Sequence, residues 1–332
     1  SGFFHNCNRG KRSLAIDLKS EAGVEAVKKL AARADVLLHN YRPGVMDRIG
    51  LGSDVLRKIN PRLVYVAVSG FGKQGPMADK PAFDHVIQGM SGFTNLQSPD
   101  DNGFDHIRTF ICDKVTSYTV CQAATAALVA RATTGEGQHI DISMLHACLA
   151  FMWPDGMMHK TLKDDDRFEM SPGADYFQTL NFSDGAVAVA ALTDSHWQAV
   201  LPLIGYPELL ETPLFSSIAS RMSNMKEVGK VLKNPRLDIG VEKAVAALKA
   251  ADVPCAPCLH QNEIEANEQI QAIDALETYV TKAMGKLTVP RPPVQFDGAT
   301  TSQAKPSPLL GEHSRQVLSE LGWDNASIDQ LV

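Results

Sequence analysis

Hydrophobic and polar positions follow two different periods along the first third of the chain. After Ser20, apolar side chains recur at Val24, Val27, Leu30 and Ala31, one face of a helix that Ser20 caps and that runs to about Arg33. Ala34 to His39 (ADVLLH) is a short unbroken apolar run, and so is Leu63 to Val68 (LVYVAV), the pattern of strands buried on both faces of a parallel sheet. Between them, Asn40-Tyr41-Arg42-Pro43-Gly44 is a turn. Short helices follow, one carrying Val45, Met46 and Ile49, the next Val55, Leu56 and Ile59. Strand and helix alternating at this spacing predict a doubly wound α/β domain. A longer helix, rich in Ala123, Ala124, Ala126, Ala127 and Ala130, is expected from Val115 to Thr133.

The pattern changes beyond the middle. Residues 155–173 are polar, include Asp164-Asp165-Asp166, and read as an exposed connection. Phe177 to Leu180 and Ala186 to Leu192 flank Ser183-Asp184-Gly185 as a hairpin. Helices are expected at His196–Ile204, Ser220–Lys233 and Val241–Ala251, and a last amphipathic one carries Val317, Leu318 and Leu321. Val289-Pro290-Arg291-Pro292-Pro293 reads as a stiff return linker. The chain thus divides into a large Rossmann-like domain (1–162, completed by 286–332), a smaller α+β domain (171–273) and a return linker (274–285).

Composition narrows the function classes. A net charge of -6 over 332 residues supplies no basic field for nucleic acid or an anionic membrane. No apolar run has the length of a membrane span, and no signal peptide is read. Six scattered cysteines are too few for a disulfide scaffold, so reduced thiols and a cytoplasmic setting are expected. Cys255-Ala-Pro-Cys258 has redox spacing, but it follows Val253-Pro254 and leads into polar residues rather than a helix. No second cysteine pair completes a zinc site, so no metal is expected. Gly70-Phe71-Gly72-Lys73-Gln74-Gly75 matches GxGxxG after a strand. Pro76 follows at once and Pro81 soon after, so the third glycine opens no helix and the dinucleotide reading is rejected. A loop that admits a ligand close to the backbone stays open.

Two features carry candidate chemistry. Arg9, Lys11, Arg12 and Lys19 form a basic cluster in an acidic chain, either a solvated face or a phosphate site. Arg42 and Arg48 lie at the end of the next αβ unit, where loops of a parallel sheet converge. Asp113 stands where an apolar run gives way to the long helix. It reads either as the helix cap or as a carboxylate nucleophile kept ionised by the helix N-terminus.

Taken in order, several segments resemble the family III coenzyme A transferases, the CaiB/BaiF group. Asn8-Arg9-Gly10-Lys11-Arg12-Ser13 with Asp17 and Lys19 is similar to the family's N-R-x-K-R-S-x-x-x-D-x-K. Asn40-Tyr41-Arg42-Pro43-Gly44 with Arg48, Gly50 and Leu51 resembles N-F/Y-R-P-G…R-x-G-L. Ser69-Gly70-Phe71-Gly72, Gly75-Pro76, Asp84 and Gln88 through Gly92 follow S-G-F/Y-G…G-P…D…Q-x-x-S-G. Thr134-Gly135-Glu136-Gly137-Gln138 through Met144 and Pro308 through His313 resemble T-G-x-G-Q-x-x-D-x-S-M and P-x-L-G-E-H.

The resemblance implies a Rossmann-like fold in an interlocked homodimer, with coenzyme A as substrate. It implies that Asp113 attacks an acyl-CoA thioester, and that CoA passes through an aspartyl-CoA thioester to a carboxylic acid. Ile16, Lys19, Asn40, Tyr41, Arg42, Arg48, Lys80 and Phe83 fall at positions that line the family's CoA site, with Lys19, Arg42 and Arg48 toward phosphates and adenine. Related α-methylacyl-CoA racemases place a His where this chain has Phe83, and His85 is expected to point elsewhere, so transfer is favoured over racemisation. A non-catalytic CoA-binding homologue is the third reading. The glycine run of formyl-CoA transferases is reduced to Gly173, which counts against formyl-CoA and oxalate. The chain opens at Ser1 without a Met, and the family's first strand–helix–strand is expected to be missing.

Overall fold

The computed structural model describes residues 1–98, 103–163, 177, 179–300 and 305–331. Asp164-Asp165-Asp166 and Gly173 lie outside the described residues. Two compact units make up the chain: residues 1–81, 116–143 and 261–332 form the first, and 82–115 and 144–260 the second.

The first unit is built on a parallel sheet. Helix α1 (Gly2–Asn8) buries only His5. Ser20 Oγ accepts the Gly23 N–H at 3.0 Å and starts α2 (Glu21–Ala31), as its spacing predicted. β1 (Val36–His39), α3 (Val45–Arg48), α4 (Ser53–Ile59) and β2 (Val64–Ser69) follow close to the expected ranges. β3 (His139–Ser143), which was not foreseen, completes the sheet in the order β1-β2-β3, all parallel, with Leu38 opposite Val66 and Val66 opposite Ile140. Period-two alternation puts Leu37, Tyr65 and Ala67 on one face, packed with Ala31, Met46, Leu51, Leu56 and Leu63. Tyr65 is buried there, and its hydroxyl donates to the Leu51 carbonyl at 3.1 Å.

In the second unit, α5 (Asp84–Ser91) and α6 (Phe93–Gln97) are joined through Gly92 at φ 92, a left-handed conformation that glycine tolerates. Helix α7 (Ile111–Thr134) begins in this unit and continues into the first. It starts four residues before the expected Val115, with the buried Cys112 in its first turn and a cap supplied from Asp84. Asp113 therefore sits inside the first turn, not at the cap. α8 (Met144–Gly156) packs on α5 and α6: Met152 Cε would touch a Cβ at Gly92. This packing groups 82–115 and 144–162 with the second unit, unlike the division drawn from the sequence.

Beyond the short α9 (Met158–Thr161), β4 (Thr179–Phe182) and β5 (Gly185–Val189) form the expected hairpin. Helices α10 (Asp194–Leu203), α11 (Ile218–Ser223), α12 (Met225–Lys233) and α13 (Val241–Ala250) cover it, burying Leu180, Val187, Trp197, Val200, Leu232 and Leu248. β6 (Cys255–Pro257) adds to β5, so the CxxC pair opens no helix. After α14 (Glu268–Ala272), the expected linker is instead a hairpin of β7 (Leu276–Thr281) and β8 (Gly285–Pro290), followed by β9 (Gln295–Phe296) and β10 (Ala299–Thr300). Alternation through Leu276-Glu277-Thr278-Tyr279 is a strand signal that the prolines obscured. Finally, α15 (Ser314–Glu320) and α16 (Asn325–Leu331) bring Leu318 and Ile328 against Ala26, Leu14 and Ile16. No helix among the described residues is long and apolar enough to cross a membrane.

Candidate active site

Asp113 is the third residue of α7, where backbone N–H groups have no partner within the helix. Its own N–H donates to Asp84 Oδ2 at 2.9 Å, so the cap comes from α5 rather than from a neighbour in sequence. Asp84 is buried, and its second oxygen accepts Gln88 Nε2–H at 2.7 Å. Gln88 in turn holds the approach to α7: Nε2 donates to the carbonyls of Ile107 and Thr109 at 3.2 Å each, and Oε1 accepts the Ile107 N–H at 2.9 Å. Asp84 and Gln88 entered the sequence reading only as motif letters. Their i, i+4 spacing on one helix face was the signal that could have paired them.

The Asp113 side chain keeps solvent access. Partial burial of the carboxyl, then the neighbouring charge of Asp84, raise its pKa above the ordinary carboxylate value, against opposing pulls from Lys114 and His85. Cys112 and Cys148 are both fully buried, and a hydrogen bond between their thiols, with burial, pushes Cys112 well up. Phe83 is the residue before α5, in extended backbone, with its ring 69% exposed. Contrary to expectation, His85 does not point away from it: the rings stack at 6.5 Å between centroids and 18° between planes. The peptide step from 83 to 84 is extended rather than helical, which swings Phe83 back over the first turn of α5.

Seven of the eight residues named for CoA lie in the first unit, with Phe83 in the second. Lys19 and Arg48 line one open depression of about 710 Å³, together with Lys28, Glu21, Glu25 and Trp323. Asn40, Tyr41 and Arg42 are exposed directly beyond the carboxyl end of β1, the edge where open parallel sheets take ligands. His39, not foreseen, holds that turn: its Nδ1 accepts the Tyr41 N–H at 3.3 Å and its ring stacks on Tyr41. Partial burial, then the nearby His139, lower the His39 pKa and so favour the neutral ring, which has one nitrogen able to accept.

Other candidates are placed elsewhere. Ile16 is half-buried against Ala26 and Leu318 rather than in the depression, and Lys80 is exposed beside Asp79 at 3.9 Å. The N-terminal basic cluster is largely engaged with protein: Arg12 forms a two-pronged pair with Glu320 at 2.9 and 3.0 Å, and Arg9 donates to the Pro290 carbonyl at 3.0 Å. In the glycine loop after β2, Lys73 pairs with Asp141 at 2.8 Å, and the next helix opens only at Asp84. No group of three His, Cys, Asp or Glu that could hold a metal ion occurs among the described residues.

The first unit is thus an open parallel α/β sheet with Arg42 exposed beyond the end of β1, and the second carries a solvent-accessible carboxylate in the first turn of a capped helix. The model of CoA-transferase family III matches residues 1–314, and the chain belongs to that family. It is a CoA-transferase, with coenzyme A implied as substrate. Succinyl-CoA:glutarate CoA-transferase of Mus musculus is 29% identical over 339 residues, covering 100% of this chain and 77% of the relative. Acetyl-CoA:oxalate CoA-transferase of Acetobacter aceti is 32% identical over 337 residues, covering 98% and 83%. The crystal structure of a CaiB/BaiF family protein from Brucella suis superposes with a TM-score of 0.78 at 30% identity, covering 97% of this chain and 84% of that one.

Proposed function

We propose that this enzyme moves CoA from an acyl-CoA donor to a carboxylic acid, with Asp113 as the covalent nucleophile. The Asp113 carboxylate attacks the thioester carbonyl, expels CoA thiolate and forms a mixed anhydride. The thiolate attacks the Asp113 carbonyl, the donor acid leaves as its carboxylate, and an aspartyl-CoA thioester remains. The acceptor carboxylate repeats the exchange in reverse and departs as acyl-CoA, which restores Asp113. Each cycle consumes one thioester and makes another, so the overall transfer is nearly balanced and no external energy is needed.

Lys19, Arg42 and Arg48 are assigned to the phosphates and adenine, with Ile16, Asn40, Tyr41, Lys80 and Phe83 completing the CoA contacts. Guanidinium and ammonium groups beyond a parallel strand suit phosphate oxygens, and the cleft shared by Lys19 and Arg48 supports this for two of them. The first acceptors to screen are short dicarboxylic acids, because the relatives' names carry succinyl, glutarate and oxalate. We further assign the chain to a homodimer, which light scattering tests.

The observation that carries the nucleophile is a carboxylate with solvent access whose peptide is fixed by a buried partner. Trypsin releases residues 109–114, in which Asp113 is the sole acidic side chain. Hydroxylamine added during turnover should leave a hydroxamate on that peptide, and Asp113→Ala should abolish both the adduct and transfer. Full turnover in Asp113→Ala ends the proposal. The stacking of His85 on Phe83, close enough for its charge to be felt at Asp113, favours a second reading: proton exchange α to the thioester. Deuterium uptake at the α-carbon with no acceptor acid present would select it.

A further inference from the structure

Four hydrogen bonds tie Asp84 and Gln88 of α5 to residues 107–113 at the start of α7, and a fifth links the two side chains to each other. Asp84 is 3% exposed and Gln88 2%. A neutral side chain could satisfy one helix N–H equally well, since Asn and Ser cap helices about as strongly as Asp. Burying a carboxylate there is costly unless it is held by donors. Both of its oxygens are so held, one by the Gln88 amide and one by the Asp113 peptide. The result is an acidic group fixed beside the group that must ionise to react.

We propose that Asp84, held in turn by Gln88, is the positioning residue of the nucleophile: it fixes the peptide that carries Asp113 and keeps a buried acidic side chain next to it. The inference rests on the reading of Asp113 as nucleophile. A fixed peptide sets the direction of the carboxylate without immobilising loop 103–110 at the moment of reaction. Like charge makes the carboxylate more basic, and so a stronger nucleophile once ionised. The other groups that bear on Asp113 are His85 on α5 and Lys114 on α7, which favour its ionised form. The thiols of Cys112 on α7 and Cys148 on α8 lie near enough to feel the charges of both Asp84 and Asp113.

Asp84→Asn removes the charge and keeps an oxygen for the Asp113 N–H, while its amide nitrogen replaces the oxygen that accepts from Gln88. Asp84→Ala removes the charge and both oxygens. A substrate-free readout is carbodiimide coupling of glycine ethyl ester to Asp113, followed in the tryptic peptide 109–114 across pH and normalised to an exposed carboxylate. In Asp84→Asn the titration of Asp113 should move to lower pH, and the acid limb of kcat/KM should move with it. Asp84→Ala should lower kcat by roughly tenfold to a hundredfold with KM little changed, the signature of lost orientation. An unmoved labelling titration in Asp84→Asn overturns the proposal, as does wild-type kcat in Asp84→Ala. The labelling result decides even if Asp84→Ala fails to fold. Absence of the turnover-dependent hydroxamate on wild-type Asp113 would instead remove the nucleophile assignment, which the labelling experiment does not presuppose.

Discussion

Gly137 should be the least replaceable position of the Thr134–Gln138 segment, for a reason opposite to that of Gly135. At Gly137 the backbone is not left-handed, but a Cβ would sit 2.1 Å from the Leu63 carbonyl oxygen and 2.4 Å from its carbon, whereas real Cβ contacts essentially never fall below 3.0 Å. The obstacle is backbone, so β2 and the entry to β3 must part. Two hydrogen bonds cross that line, Gly137 N–H to Pro61 O and Tyr65 N–H to Gln138 O, both 2.8 Å, and Arg57 Nη2 donates to the Gly137 carbonyl at 2.9 Å. Overpacking costs about 1–3 kcal/mol. Weakening two or three hydrogen bonds adds about 1 kcal/mol each. Gly137→Ala should therefore destabilise the first unit by about 3–6 kcal/mol. Gly135 has φ 77 and nothing within 4 Å of a Cβ, so Gly135→Ala meets only the left-handed penalty, about 1–2 kcal/mol.

Urea denaturation of both variants, with hydrogen exchange read over β2 and β3, separates the two mechanisms. The expected order is Gly137→Ala well below Gly135→Ala, with faster exchange in β3 confined to the former. Equal midpoints, or a lower one for Gly135→Ala, would refute the close-approach argument.

Three further outcomes follow from the same geometry. Asp113 has its pKa raised in the fold, so its contribution to stability is present below the ordinary carboxylate pKa and is lost as pH rises through the folded value. Asp113→Asn should accordingly melt higher than wild type near neutrality, the gap closing toward about pH 4, and a variant that melts lower at neutral pH contradicts this. Arg221 is buried, donating to the Phe215 carbonyl at 2.9 Å and to Asp194, which is itself 69% exposed and can be rehydrated. Arg221→Met should thus cost only the stranded carbonyl, about 1–3 kcal/mol, with a shift in Trp197 fluorescence; a loss beyond about 5 kcal/mol would show that the ion pair matters more than this. On the proposed CoA assignment, Lys19→Ala and Arg48→Ala should each weaken CoA binding by about tenfold in calorimetry and flatten its salt dependence, and unchanged affinity in both would remove the depression they line from the site.

How far the sequence could be read depended on how local each signal was. Ser20 and the run after it gave α2 almost to the residue, because capping and helical period are properties of adjacent positions. ADVLLH and LVYVAV gave β1 and β2 for the same reason. β3 was missed because His139-Ile140-Asp141-Ile142-Ser143 alternates over only five residues behind a glycine turn. The start of α7 was misplaced because its cap comes from Asp84, twenty-nine residues earlier, and no local pattern announces a cap of that kind. The β7–β8 hairpin was read as linker because prolines at 290, 292 and 293 outweighed the alternation before them. Among the candidate cations, charge alone did not distinguish Arg12, spent on Glu320, from Lys19 and Arg48, which share a cleft.

The segments that made the family recognisable therefore answer to different physical demands. Gly137 is required by backbone approach and Gly92 by a left-handed link between α5 and α6. Neither touches the proposed chemistry, and each should tolerate only replacements that respect the backbone. Asp84, Gln88 and Asp113 differ, since the capping role at position 84 needs only one acceptor oxygen and any small polar residue could follow Cys112. A charged pair at these two positions is a stability cost: Asp84 is buried and Asp113 is held beside it with its ionisation resisted. A fold under selection for stability alone would discard that arrangement, whereas a carboxylate that must be both ionised and basic benefits from it. Asp84→Asn should then ease the ionisation of Asp113 while reducing the rate per ionised Asp113. A variant that ionised more easily and turned over faster per ionised Asp113 would leave the like-charge pair without a function.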